Sequence, residues 1–198
     1  YTTLFRSNNV HFIFAGSKKH IMAQMFTSAN RPFYQSAQLM LLDIIPEDKY
    51  FSFAKSHLSK HKQNIDRDTF HELYAMVEGH TWYVQMLLNR VYQSGKAQIE
   101  YNDILAVLNN ILLENTPVYQ MYCQLITQKQ KNVLKAIAQE GKAKNINSGE
   151  FLQKYKLGAA STVRGIVVSL LDKELLFEQD GLYSVYDRFF SIWLKYNR

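Results

Sequence analysis

Cysteine is almost absent from this chain, proline is rare, and long apolar runs are missing. The single cysteine, Cys123, leaves no partner for an internal disulfide. Its neighbours Tyr122, Leu125 and Ile126 suit a small buried apolar group better than a reactive thiol, and a reducing, cytoplasmic setting is expected. No apolar stretch approaches the ~18 residues of a membrane span, and no N-terminal stretch has the pattern of a secretion signal. Since the first residue is Tyr1, a trimmed or partial chain is expected. Internal repeats and low-complexity tracts are also missing. The three prolines, Pro32, Pro46 and Pro117, each fall where the hydrophobic pattern breaks.

What is present fits an ordinary globular chain. The 198 residues allow one large domain or two small ones, and 47% of them are hydrophobic. The net charge of +6 is unevenly spread: residues 127–198 hold 12 Lys and Arg against 7 Asp and Glu, while residues 1–126 hold 11 against 10. A basic last third can bind polyanions by counterion release, or it can be a solvated basic surface.

Val10 to Ala15 is β-branched and aromatic, and it predicts a buried strand that Gly16 and Ser17 end. Ile21, Met22, Met25 and Phe26 predict a helix over 18–26, broken by Arg31-Pro32. Leu39 to Ile45 is a second apolar run, strand or helix, closed by Pro46. Strand, helix, strand would be the tail of a parallel α/β sheet. Beyond it the period turns helical. Helices are predicted from Glu47, from an Asp66 cap to Gly79, over 81–92 and over 101–114, with a turn at Thr116-Pro117 and further helix over 118–125.

The last third predicts three helices, a hairpin and a closing helix. Thr127 caps the first helix and Ser148 opens the second. Ser161 is expected to cap the third. Asp180-Gly181 joins two short strands, 175–178 and 182–185, and the final helix spans 187–196. Three helices followed by a β-hairpin make a winged helix-turn-helix. On its third helix Ser161, Thr162, Arg164 and Ser169 fall on the exposed side, where Ser, Thr and Arg can contact phosphates or bases. Lys142, Lys144, Lys154 and Lys156 flank the second helix and would add backbone contacts. Glu178 and Asp180 at the wing tip would repel phosphate. His57 and His61 are four apart, but no third ligand has suitable spacing, so no metal is expected.

From Thr127-Gln128-Lys129-Gln130 to Tyr186-Asp187-Arg188-Phe189-Phe190, the chain resembles the winged-helix tail of the archaeal-type ATPases, P-loop proteins related to the AAA+ and STAND groups. Phe12 to Ser17 is similar to that family's sensor-1 strand, Arg31-Pro32-Phe33-Tyr34 to its proline-containing segment, and Glu78-Gly79-His80-Thr81-Trp82-Tyr83 to the Gly-His-Pro-Tyr signature of its helical lid. His80-Thr81 departs from the family's His-Pro, and Arg90 is no clear match to its lid arginine.

The resemblance implies a mainly α chain in three parts. Residues 1–46 would end an α/β ATPase core, 47–126 would form a helical lid, and 127–198 a winged helix with a β-hairpin. It places Ser17 near the γ-phosphate, although Ser17 can equally leave the strand and cap the next helix. It makes Arg31 a candidate arginine finger, or a surface arginine, and puts His80 beside the nucleotide. ATP and Mg2+ would belong to the full-length parent. This chain has no Gly-x-x-x-x-Gly-Lys-Ser/Thr loop and no strand ending in paired acids, so alone it is not expected to hydrolyse ATP or hold a cofactor. The expected partners are the upstream ATPase core and double-stranded DNA or a protein bound by the winged helix, with no membrane. A stand-alone DNA-binding regulator and a protein-interaction module without nucleotide are the other readings.

Overall fold

The computed structural model describes residues 11–16, 19–40 and 42–196. The chain divides into two units, Tyr1–Ile44 and Ile45–Arg198. In the first, α1 (Lys19–Thr27) buries Phe26, whose ring lies 5.4 Å from Phe14 and 6.3 Å from Phe33. The strand expected over 10–15 does not form, and the run over 39–45, expected as strand or helix, is neither: residues 11–16, 39–40 and 42–45 are in no regular element, while Val10 and Leu41 lie outside the described residues. Their apolar side chains are exposed, Ile13 at 93% and Met40 at 82%. A strand is held by a hydrogen-bonded neighbour, and among the described residues no strand lies beside either run.

The second unit is a helical bundle sharing one hydrophobic core with a winged helix. In the bundle lie α2 (Glu47–Ser59), β1 (Asn64–Ile65), α3 (Arg67–Met76), α4 (Thr81–Gln93), β2 (Gln98–Ile99) and α5 (Tyr101–Gln124). Asp66 caps α3 by accepting from the amide of Thr69, so Phe70, Leu73 and Val77 point inward. The short β1 and β2 pair in parallel, with Ile65 opposite Ile99, both fully buried. Two residues are too few to show a period in sequence. On α2, Tyr50, Ala54 and Leu58 are buried as the pattern requires, whereas Phe53 and His57 remain exposed.

The turn expected at Thr116-Pro117 is absent, and α5 runs unbroken through Pro117. Proline removes one helix hydrogen bond and crowds the preceding turn. Here the side chains of Asn115 and Thr116 donate to the carbonyls of Ile111 and Leu112, both at 2.8 Å, and brace the turn before the proline. Beyond it Tyr119 is buried against the last helix, which rewards continuing α5.

The rest is α6 (Gln128–Glu140), β3 (Ala143–Lys144), α7 (Gly149–Tyr155), α8 (Ala160–Asp172), β4 (Leu176–Gln179), β5 (Leu182–Val185) and α9 (Arg188–Tyr196). Thr127 and Gln130 form a reciprocal capping box on α6, and Ser148 caps α7. Val133, Leu134 and Ile137 of α6 are almost wholly buried, each contributing roughly 1.5–3 kcal/mol of burial. Asp180 and Gly181 both take positive φ, 54° and 75°, as a two-residue hairpin of type I′ requires. The sheet order is β3-β5-β4, so β3 adds a third strand beside the expected hairpin. The fold is mainly α with a small β-hairpin.

Candidate functional site

The third winged-helix element, α8, starts two residues earlier than its sequence suggests. Gly158, at φ +85°, reverses the chain, and Ala159 takes the extended cap position, making no side-chain cap bond. Ser161 therefore lies in the first turn instead of capping it. Ser161, Thr162 and Arg164 are exposed, as are Gly165 and Val168. Ser169 is half-buried and accepts a 3.0 Å hydrogen bond from Gln130 Nε2, which engages it in α6–α8 packing.

The four lysines divide in the same way. Lys144 and Lys156 are exposed and, with Arg164, make no ion pair to any described residue. Lys154 lies 2.6 Å from Glu140, whose carboxylate also accepts from the Tyr155 hydroxyl. Those two hydrogen bonds hold Glu140 below the usual carboxylate range. Lys142 lies 2.9 Å from Glu78, in the helical bundle. The wing itself carries no cation between Lys173 and Arg188, only Glu174, Glu178, Asp180 and Asp187. Glu178 folds back to accept from the amide of Gly181.

The junction between bundle and winged helix contains pairings that the sequence pattern did not reveal. Glu78 and Gly79 form the α3–α4 turn in left-handed conformation, at φ +52° and +68°. Gly79 has no room for a side chain, since a Cβ there would lie 2.4 Å from the ring of Tyr74. The Tyr74 hydroxyl donates to the carbonyl of Ile45 and pins the chain entering α2. The turn aims the Glu78 carboxylate at two cations of the winged helix, Lys142 and the largely buried Arg188. Burial pushes the Arg188 guanidinium below its ordinary value.

One turn further on, the Tyr83 hydroxyl oxygen accepts a 3.1 Å hydrogen bond from the Arg188 amide, and its ring packs edge-on against Phe189 at 4.8 Å. Burial, and then the Asp187 charge, push the Tyr83 phenol up to about 12. At the other end of α9, Trp193 Nε1 donates to Thr116 Oγ1 at 3.0 Å, with Tyr119, Phe190 and Trp193 in mutual ring contact. The visible signal was the segment Glu78 to Tyr83 itself. Its partner Arg188 stands among aromatic residues that looked like core alone.

Ser17 lies outside the described residues. Arg31 is exposed in the turn after α1, where its amide donates to Ser28. His80 is exposed at the cap position of α4, with its ring 5.0 Å from that of Tyr83 and no side-chain cap bond. Arg90 forms a two-bonded pair with Glu114 of α5. The thiol of Cys123, half-buried, is pushed up by burial and so holds less thiolate. Between α2 and α4 lies a groove of about 640 Å³, lined by Tyr50, Phe53, His57, Trp82, Met86 and Tyr92 among others. Among the described residues no group of three or more His, Cys, Asp or Glu is placed to hold a metal, and no helix is long and apolar enough to cross a membrane.

Residues 117–196 match the family model of a probable winged helix domain. Over 89% of its length the chain is also similar to the Walker-type ATPase PABY2304 of Pyrococcus abyssi, at 14% identity and a TM-score of 0.57. At that identity the likeness is one of fold, and the chain spans 49% of that solved structure. No curated protein matches the chain.

Proposed function

We propose that this chain is the lid and winged-helix portion of an ATP-driven protein, in which the winged helix carries duplex DNA. In this reading 1–46 ends the ATPase core, 47–126 is the lid and 127–198 is the effector module, in a cytoplasmic setting. The observation that carries it is the fold likeness to half of a Walker-type ATPase chain, together with a winged helix fastened to the bundle by α9.

ATP and Mg2+ belong to an upstream segment in this reading. The chain's own residues do not fit a nucleotide's phosphates. They include no phosphate-binding loop, and within the lid signature Tyr83 is engaged by the winged helix and His80 bonds no backbone donor. Ser17 and Arg31 keep their sensor and finger roles only in the assembly with that upstream segment.

On the winged helix, Arg164, Ser161 and Thr162 of α8 would meet the duplex, flanked by Lys144 and Lys156. The acidic wing stays off the phosphates. A protein partner is the second reading, favoured by the half-exposed aromatic pair Phe177 and Tyr186 on that wing. The test is to sequence the protein from its source upstream of Tyr1. A phosphate-binding loop there supports the ATPase reading, whereas a native terminus close to Tyr1 removes it and leaves a stand-alone DNA-binding regulator.

A further inference from the structure

We infer that Glu78 is an autoinhibitory latch: a carboxylate of the helical bundle that occupies Lys142 as a phosphate would, and withholds it from polyanions until the α3–α4 turn releases it. The inference rests on the polyanion-binding reading given above.

Three observations carry it. Lys142 is the one exposed lysine of the four flanking α7 whose ion-pair partner lies outside the winged helix, 2.9 Å away on Glu78. Glu78 is held in this position by an uncommon backbone, a non-glycine residue at φ +52° followed by a glycine that cannot accept a side chain. The same carboxylate holds Arg188, which has only 14% of its side chain exposed and no other carboxylate within ion-pair reach among the described residues. Arg188 is therefore the anchor and Lys142 the switched charge. Anything that moves α4, whose first turn follows Glu78 directly, moves the latch.

The charge arithmetic makes the effect measurable. Each duplex phosphate neutralised steepens the dependence of log K on log salt by about 0.9. Releasing Lys142 adds one such contact.

The experiment is fluorescence anisotropy of a short labelled duplex with the full chain, between about 50 and 200 mM salt. E78Q should bind more tightly at low salt, with a slope steeper by about 0.9, and adding K142A to E78Q should return the slope to the starting value. K142A alone should change little, since Glu78 already masks that charge. An E78Q slope equal to that of the unaltered chain overturns the latch. If the unaltered chain binds no duplex, the polyanion reading fails instead. Amide hydrogen exchange then judges the anchor: faster exchange at Arg188 and Ala143 in E78Q supports a released latch, and unchanged exchange overturns it as well.

Discussion

The backbone amide of Arg188 donates to the phenolic oxygen of Tyr83, 105 residues earlier in the chain, at 3.1 Å. The bond joins the first turn of α4 to the first turn of α9, and the Tyr83 ring covers Phe189 beside it. A partly buried amide that loses its acceptor costs up to about 1–3 kcal/mol, and removal of a packed aromatic ring costs about 3–5 kcal/mol. Y83F is therefore expected to lower the unfolding free energy by about 1–3 kcal/mol and Y83A by about 3–5 kcal/mol. Urea denaturation measures both. A Y83F chain as stable as the unaltered one would show that water replaces the hydroxyl.

The same tyrosine gives a signature in alkali. Its phenol, raised to about 12, favours folding most below the free tyrosine value of about 10. That stability is fully present below the unfolded pKa and is lost as pH rises through the folded one. The midpoint for thermal unfolding should fall between about pH 10 and 12, and less steeply in Y83F. Equal slopes in the two chains would remove Tyr83 from the account.

Gly79 has no room for a side chain. A Cβ there would lie 2.4 Å from the Tyr74 ring at φ +68°. G79A is expected to cost roughly 2–3 kcal/mol through left-handed strain and displacement of that ring. Near-ultraviolet circular dichroism should report the tyrosine shift, and an unchanged spectrum and unchanged stability would contradict the close approach.

In acid the opposite linkage sign applies. The hydrogen bond from the Thr69 amide holds Asp66 below its ordinary value, the bond from Lys96 does so for Asp103, and the bonds from Lys154 and Tyr155 do so for Glu140. Their contributions are complete above the unfolded carboxylate values, near 3.8 for Asp and 4.5 for Glu, and are lost as pH falls through the lowered folded values. D66N should make the acid loss shallower in an unfolding titration. An acid limb identical in D66N would exclude the α3 cap as a contributor.

The winged helix was legible because its signals are local. Thr127 with Gln130, Ser148, and Asp180-Gly181 each fix a cap or a turn through neighbours in sequence. The Asp66 cap and the buried stripes of α3 and α5 were readable for the same reason. Pro117 misled because a local breaker was overridden by tertiary packing of Tyr119 and by the side chains of Asn115 and Thr116. The apolar run over 10–15 has strand-forming residues and the one over 39–45 suits strand or helix, but neither has a neighbouring strand among the described residues, and sequence pattern alone cannot supply one.

Of the candidate site, Arg164, Ser161, Thr162, Lys144 and Lys156 were placed on the surface by helical period and polarity alone. The engagement of Ser169 by Gln130, Lys154 by Glu140 and Lys142 by Glu78 depends on contacts between elements, which period does not encode. The Glu78 to Tyr83 segment stood out as a motif, yet its partner Arg188 lies too far along the chain for spacing to pair them.

The helical bundle and the winged helix form one body, clasped by Glu78, Tyr83 and Thr116 onto α9. Residual dipolar couplings from amides of 47–126 and 127–196, measured by NMR in a weakly aligning medium, test it most directly. One alignment tensor should fit both sets, with one magnitude and one orientation. Two distinct tensors would show that the halves move independently, and the clasp would not hold in solution.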